Sequence, residues 1–566
     1  MPPAAMETVV AGIVCPPGAL NRGAKGSLLS RATLGHRTLV SCHTRPGPRA
    51  VRARREPSDQ SPIALAHDGW HRRRVVTTLR GLVTLARAPS SGAAWLLAAL
   101  MLTACTVGPD YRRPSYPTPA AFRGQAAPDS APSIADLGWW RVFEDETLQQ
   151  LVRTALRENY DLRIAAARIL EARAQLTITR AFQFPEVNHS GSAIYSRIEG
   201  QRVVLQPQDQ FAPQAGFDLS FEIDFWGRFR RATEAARANL VASEEGRRLV
   251  ISTLVTDVAT DYFQLRSLDR ELEVSQRTLA ARQDSLRLVS LRERGGVAGL
   301  IDVRQAEILV AQAGEAVVET QRQIEQTENA LSVLLGRNPD AVPRGRPLLQ
   351  QLSLPTVPTG VPSSLFERRP DIRQAEAQLA AATARIGVAK ADFYPRVFLS
   401  GIAAGGGLLI DGRWIGPQGL FSIGPQITLP IFNTGRTQAG VDAAEAQAQQ
   451  TLAVYQQTIL QAFREVADAL VEHRKRREFR IAQEALVTSA TDTSRLADLR
   501  YKGGVSSYLE VLNSEQQLFD SELGLVRSSR DELLAVVRLY RALGGGWQEE
   551  REASAGAPLP EERGTR

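Results

Sequence analysis

Residues able to do chemistry are scarce in this chain. Of its 566 residues, three are Cys and six are His. Two of the Cys (Cys15, Cys42) and four of the His (His36, His43, His67, His71) precede residue 105. Neither His189 nor His473 falls in a metal or triad spacing, and no glycine loop leads into a Lys-Ser/Thr pair. One residue does announce a reaction. Gly92 to Ala104 reads GAAWLLAALMLTA, about 13 apolar residues, too short to span a bilayer and of signal-core length. It follows Arg80 and Arg87 and ends Leu102-Thr103-Ala104-Cys105. Small residues ahead of a lone Cys are similar to the bacterial lipobox, so Cys105 is expected to be acylated, with covalent diacylglycerol and an N-acyl chain. It then becomes the mature N-terminus. The bland reading, a free Cys beside a retained helix, is weaker because position, length and small residues all suit a cleaved signal. No other cofactor and no metal is expected.

The net charge of +7 invites a nucleic-acid reading, which fails when the charge is mapped. Residues 1–104 hold 14 of the 68 basic residues and 4 of the 61 acids, a balance of +10. The remainder carries −3, with no basic stripe interleaved with aromatics, so no nucleic-acid partner is expected. Residues 1–104 read as a leader, with the lipoprotein signal at about 80–104. The stretch before it is rich in Arg, Pro and Gly without a sustained period, and reads as an over-extended start. Residues 105–138 begin polar and Pro-rich and read as an N-terminal tether.

The mature chain is one unit written twice. Leu162–Val187 matches Ile372–Val397 at an offset of 210. Gly227-Arg228, Arg294–Val297 and Leu335-Gly336 match Gly435-Arg436, Lys502–Val505 and Leu543-Gly544 at 208. A register held that long is duplication. The repeats are placed at 139–339 and 363–547, with a linker at 340–362 and a disordered tail at 548–566.

Each unit follows one plan. An Ala-rich helix of about 25 residues ends at a Phe/Tyr-Pro. Period-2 strands follow, at Glu186–Ser196 and Gln214–Phe225, then at Arg396–Ala404 and Gly419–Ile431. Gly200, Pro207, Gly412 and Gly416 are the expected turn residues, and Pro425 weakens the last strand. Then come proline-free stretches, Pro213 to Pro339 and Pro430 to Pro558, each broken once, at Gly295-Gly296 and Gly503-Gly504. These read as two helical hairpins. Arg228 to Glu293 alone would be ~100 Å long, which demands a partner along its whole length. In the return helices Val303, Val310, Val317, Ile324 and Leu331 recur every seven residues. Their equivalents are Val511, Leu518, Leu525, Glu532 and Leu539. A second stripe in the later helix (Val505, Leu512, Phe519, Val526, Leu533, Tyr540) implies packing on two sides, as for a stave in a cylinder. Four strands cannot close a membrane barrel, and open edges cannot face lipid, so the chain must oligomerise.

These features resemble the TolC-type outer membrane efflux factors, specifically the NodT-like lipoprotein branch. The motifs cover Cys105 to about Gly546. Trp139–Asp145 looks like the family's opening Trp-Trp segment, and Glu367–Arg373 like its Arg-Pro-Asp-Ile-Arg motif. Gly387–Pro395, Gly424-Pro425 and Leu429–Phe432 are similar to further landmarks. The resemblance implies a mainly α fold with a small β part. Three chains would form a 12-stranded β-barrel in the outer membrane, continuous with a 12-helix periplasmic α-barrel. It also implies a periplasmic adaptor and an inner-membrane pump of the resistance-nodulation-division type.

In this reading the functional residues are geometric. Arg294, Gly295, Gly296 and Val297, with Lys502, Gly503, Gly504 and Val505, are expected at the periplasmic tips that meet the adaptor. A helix-to-helix setting makes each Gly pair a turn before anything else. The resemblance places Glu510 at the periplasmic aperture, with Asp302 its equivalent in the first unit. Family pores often carry another acid where this chain has Asn513 and a base where it has Ser506. The alternative function is a structural coiled-coil spacer or adaptor lipoprotein without a channel. Adaptors, however, have one helical hairpin rather than a duplicated strand-plus-hairpin unit. An enzyme is disfavoured by the missing site, and the transported substrate is not written in the sequence.

Overall fold

The computed structural model describes residues 106–123, 133–198, 208–352, 360 and 362–548. Cys105, the leader before it, and residues 549–566 of the tail lie outside the described residues. Eleven elements carry the architecture. They are α1 (Glu146–Glu158), α2 (Tyr160–Ala181), β1 (Glu186–Ile198), β2 (Gln208–Ile223), α3 (Arg228–Arg294) and α4 (Leu300–Leu334). The second unit supplies α5 (Pro370–Ala391), β3 (Arg396–Ile410), β4 (Arg413–Thr428), α6 (Arg436–Lys502) and α7 (Tyr508–Ala542).

The strands form one antiparallel sheet in the order β1-β2-β3-β4, so the two units join where β2 pairs β3. The strands alternate, with most of the aromatic residues gathered on one side and the other side mixing polar residues with Ile194, Phe398, Ile402 and Leu420. Val187 faces Leu219, His189 faces Phe217 and Tyr195 faces Phe211 on one side of the pleat. Leu399, Phe421, Ile423 and Ile427 continue that side by register. Asn188, Ser190, Ser192, Gln214, Asp218, Ser400, Ser422 and Gln426 take the other. The strands are longer than the sequence indicated. β4 starts at Arg413, so Gly416 lies inside it and only Asp411-Gly412 makes the turn. Pro425 sits within β4 opposite Leu399. An edge strand tolerates its missing N–H. The first hairpin's loop, with Gly200 and Pro207, lies outside the described residues.

The helices match their expected extents. α3 and α6 each have 67 residues, ~100 Å. α3 packs against α4, α2, α5 and α7, and α6 against α7 and α5. All four hairpin helices end in the same motif. At Val297, Arg337, Val505 and Gly545 an N–H reaches back five residues to a helix carbonyl, and the preceding Gly donates to the next one. Those glycines, Gly296, Gly336, Gly504 and Gly544, have φ between 70° and 86°.

The expected heptad is only half right in α4. Ile324 and Leu331 are buried, but Val303, Val310 and Val317 are half-exposed, and Ala306, Ala313 and Thr320 hold the buried line. The positions 208 later in α7 are Ser514, Ser521 and Ser528, also buried. Small residues let the two arms of each hairpin approach, while the larger stripes pack sideways. In α7 both apolar stripes contribute, with Val511, Leu539, Phe519, Val526, Leu533 and Tyr540 buried.

Two short helices complete the staves. The end of α4 abuts the start of α2. A Cβ on Gly336 would lie 2.3 Å from the Glu158 carbonyl oxygen. Asn159 bridges this joint. Its Oδ1 accepts from Leu162 N–H at 3.1 Å, and its Nδ2 donates to the Leu334 carbonyl at 3.0 Å. The end of α7 abuts α5 in the same way. The bridging residue there is Arg369, the repeat equivalent of Asn159. Its buried guanidinium donates to Ala542 O at 2.9 Å, to Asp371 at 2.7 Å and to Glu465 at 2.7 Å. Replacing Arg369 by Met strands the buried Ala542 carbonyl and breaks ion pairs whose carboxylates are partly exposed, a loss of about 1.5 kcal/mol. Amide exchange in the last turn of α7 should then rise by about tenfold, measured by hydrogen-exchange mass spectrometry. Exchange like that of the wild type would show that the joint does not depend on Arg369.

Candidate functional site

The tips are built by the chain reversals at Arg294–Val297 and Lys502–Val505. Gly296 and Gly504 alone adopt the left-handed backbone (φ 71° and 74°), while Gly295 and Gly503 stay helical. Val297 and Val505 are about 70% exposed, with Leu300, Ile301, Leu499 and Leu509 exposed beside them. Under this apolar crown a second small core ties the hairpins together: Val289, Ala306, Ala497, Tyr501, Tyr508 and Val511. Tyr501 and Tyr508 meet at 5.4 Å between ring centres. Arg292 lies 4.3 Å over the Tyr501 ring and donates to the Tyr501 carbonyl at 3.2 Å, so α3 grips the end of α6.

The charged candidates are separately occupied. Asp302 caps its own helix, accepting from Gly299 N–H at 3.2 Å. Glu510 pairs with Arg500 at 3.0 Å, with both side chains about half exposed. Lys502 pairs with Asp498 at 2.7 Å, and Arg294 donates to the Ser290 carbonyl at 3.2 Å. Thus Asp302 and Glu510 belong to the same end of the molecule but do different work. Ser506 Oγ is buried with no hydrogen-bond partner among the described residues. Asn513 lines an open cleft of about 420 Å³ with Gln483, Gln516 and Asp520.

The remaining chemistry-bearing residues do not converge. His189 lies on the apolar face of the sheet, 4.9 Å from Phe217. His473 is half-buried on α6, and burial pushes its pKa down. Among the described residues no three His, Cys, Asp or Glu could hold a metal ion, and no helix is long and apolar enough to cross a membrane.

Sequence reasoning missed the docking of residues 106–123. Val107 N–H donates to Trp226 O at 3.1 Å, beside the end of β2. Arg231, buried, gathers Val107 O and Gly108 O at 3.3 Å and Asp110 at 2.6 Å. Further along, Tyr111 and Arg113 hold Glu376, and Phe122 packs near Phe463. A Pro-rich polar run carries no periodic signal of such docking.

With this geometry in view, the comparisons are decisive. The family model described as outer membrane efflux protein matches residues 151–337 and 361–545. The chain belongs to the outer membrane efflux protein family. It is 36% identical over 458 residues to the cation efflux system protein CusC of Escherichia coli O6:H1, covering 80% of this chain and 98% of that one. It is 37% identical over 465 residues to the solvent efflux pump outer membrane protein SrpC of Pseudomonas putida, covering 80% and 97%. Among solved structures, the outer-membrane channel OprN superposes with a TM-score of 0.70 at 32% identity, covering 79% of this chain and all of that one. The two matched segments are the two repeats, so this efflux protein is an outer-membrane channel component built by duplication.

The tip glycines give a clean test. A Cβ at Gly296 or Gly504 meets nothing within 4 Å, so substitution there acts through backbone strain alone, ~1–3 kcal/mol at each site. Gly296→Val with Gly504→Val should abolish efflux while trimers persist in the outer membrane. Unchanged efflux would show that efflux does not depend on the left-handed turns at the tips.

Proposed function

We propose that three copies of this chain form a 12-stranded barrel continuous with a 12-helix duct. This duct conducts drugs or other small molecules passively to the exterior, as the outer-membrane part of a tripartite resistance-nodulation-division system. One observation carries the reading. The four-stranded sheet has an exposed face rich in aromatic and branched residues and two unpaired edges, and it continues directly into ~100 Å hairpins. An apolar outer face suits lipid, and the edges need other copies. The exposed Val187, Tyr195, Phe217, Phe421 and Ile427 form that face. Trp226, stacked on Tyr394 at 4.5 Å where sheet meets helices, suits a membrane interface. The partners are a homotrimer, an outer-membrane lipid surface, a periplasmic adaptor at the tips and an inner-membrane pump. A spacer without a channel would have no use for an apolar sheet face left uncovered by the chain's own helices.

The lipoprotein reading also belongs here. Val107 is pinned beside Trp226, and Cys105 is two residues away, within ~7 Å along the chain. Acyl chains on Cys105 would then enter the bilayer at the aromatic level. Intact mass of membrane-extracted protein should show a chain starting at Cys105 with three acyl groups. An unmodified Cys105 inside a longer chain rejects the assignment. Cys105→Ser should still assemble, since the barrel is itself an anchor.

Conduction is tested in planar bilayers with protein whose mass in detergent is that of three chains. Because Glu510 pairs with Arg500, the pair is neutral and Glu510→Gln leaves three uncompensated Arg500 charges. The reversal potential in a salt gradient should move toward anion preference. A conducting monomer refutes the trimer. Identical reversal potentials remove Glu510 from the aperture.

A further inference from the structure

The two units build the same groove below the sheet but charge it differently. In the second unit Lys390, near the end of α5, pairs with Glu445 on α6 at 2.9 Å. The repeat offsets of 210 and 208 carry these positions back to Arg180 on α2 and Arg237 on α3. The first unit therefore has two arginines where the second has a cation and an anion. Both arginines line one open cleft of about 340 Å³, together with Gln183, Arg230, Thr233 and Glu234. The nearby acids are already paired. Glu234 meets Arg231 at 2.8 Å, and Asp224 meets Arg230 at 3.5 Å. Arg180 and Arg237 have no carboxylate partner among the described residues. Two like charges on one cleft repel until an anion sits between them.

The position of the cleft narrows the choice of anion. Arg180 lies six residues before β1, and Arg237 lies nine residues into α3, so both stand just below the sheet. Helical side chains lean toward the N-terminus of their helix. Arg180 thus leans away from the sheet and Arg237 toward it, and the two converge. Glu234 links the cleft to Arg231, which holds the backbone of residues 107 and 108. The cleft therefore opens on the side of the wall where the chain leads to Cys105. Toward the sheet it is bordered by Phe182, stacked on Phe229 at 5.7 Å, and by Phe184, both more than half exposed. Val187 then begins the apolar face. Cations, aromatic rings and aliphatic surface follow one another in the order of a lipid's headgroup, interface and chains.

We propose that this cleft binds the phosphate of an anionic glycerophospholipid of the periplasmic leaflet, with the acyl chains passing over Phe182 and Phe184 onto the sheet. The site rests on the reading of that sheet as part of an outer-membrane barrel. The floor of the cleft is already satisfied, since Gln183 donates to Thr233 at 2.6 Å and Thr233 donates to the Phe229 carbonyl at 2.7 Å. Recognition therefore falls to the guanidinium forks, which match phosphate oxygens. The second unit has no such site, because Glu445 occupies the place of the phosphate.

Native mass spectrometry of the full-length trimer, titrated with phosphatidylglycerol, phosphatidylcholine or inorganic phosphate, tests the site. Phosphatidylglycerol should bind about tenfold more tightly than phosphatidylcholine, the loss of one charge-assisted contact. Arg237→Glu gives the first unit the pair that the second already has, so the fold is kept and the preference should vanish. Arg180→Gln should act in the same direction, and Lys390→Gln should change nothing. An unchanged preference in Arg237→Glu, or an equal loss in Lys390→Gln, overturns the site. Inorganic phosphate that displaces the lipid at equal concentration overturns the lipid assignment. Monomers that keep the preference refute the barrel and leave the site standing, whereas trimers without it refute the site alone.

Discussion

The carbonyl ends of α4 and α7 must find donors, and the two places where they do so hold the long axis together. A helix leaves its last carbonyls unpaired. Here each is met by the start of another helix, whose N-terminal dipole end carries the opposite partial charge. Asn159 does this with one amide that serves both helices. Arg369 does it with a guanidinium tied also to Asp371 and Glu465. These joints fix the ends of α2 and α5, which pack along α3. With them, α2 continues the line of α4, and α5 that of α7, between the sheet and the tips. The contact pattern follows: α5 and α7 both lie between α3 and α6.

The sheet imposes the other constraint. Its register gathers Val187, Phe217, Leu219, Phe421 and Ile427 on one face, while the other mixes Ser190, Ser192, Gln214 and Ser422 with Ile194, Ile402 and Leu420. In a globular protein the apolar face of an antiparallel sheet is packed on a core, whereas here it is exposed on the chain. An uncovered apolar face is what a wall between lipid and an aqueous bore requires. The unpaired outer edges of β1 and β4 then fix the demand for further copies more strictly than any apolar patch on the helices.

Much of this was legible in the sequence because it depends on local rules. Proline-free length gave the 67-residue helices to within a residue, since a single Pro would have broken them. The repeated Gly pairs marked left-handed caps. Alternation located all four strands, though not their ends, which cross-strand pairing decides. What could not be read was long-range. The Arg500–Glu510 pair spans the tip turn, and nothing in the spacing says that the two side chains turn toward each other. The small line Ala306, Ala313, Thr320 and its counterpart Ser514, Ser521, Ser528 has a heptad period. Its residues are small or hydroxylic, so it adds almost nothing to a hydrophobic period. The docking of residues 106–123 depends on Arg231 and Glu376, far away in the chain. The equivalence of Asn159 and Arg369 was within reach, since both stand at the same repeat offset just before a helix.

Duplication also explains why the two hairpins are not interchangeable. The first joint is filled, with Gly336 pressed against Glu158 and a neutral amide as its bridge. The second carries an ion network and borders a polar cleft of about 530 Å³ lined by Asp371, Glu465, Asp468, Glu472, Arg538 and Arg541. Open polar space costs little to rearrange, because water can replace each broken contact, whereas a packed joint loses dispersion contacts that water does not restore. The same asymmetry recurs at the tips, where Asp302 is spent on capping its own helix while Glu510 pairs with the half-exposed Arg500. Two fused copies thereby carry one joint closed by packing and one closed by a charge network beside water.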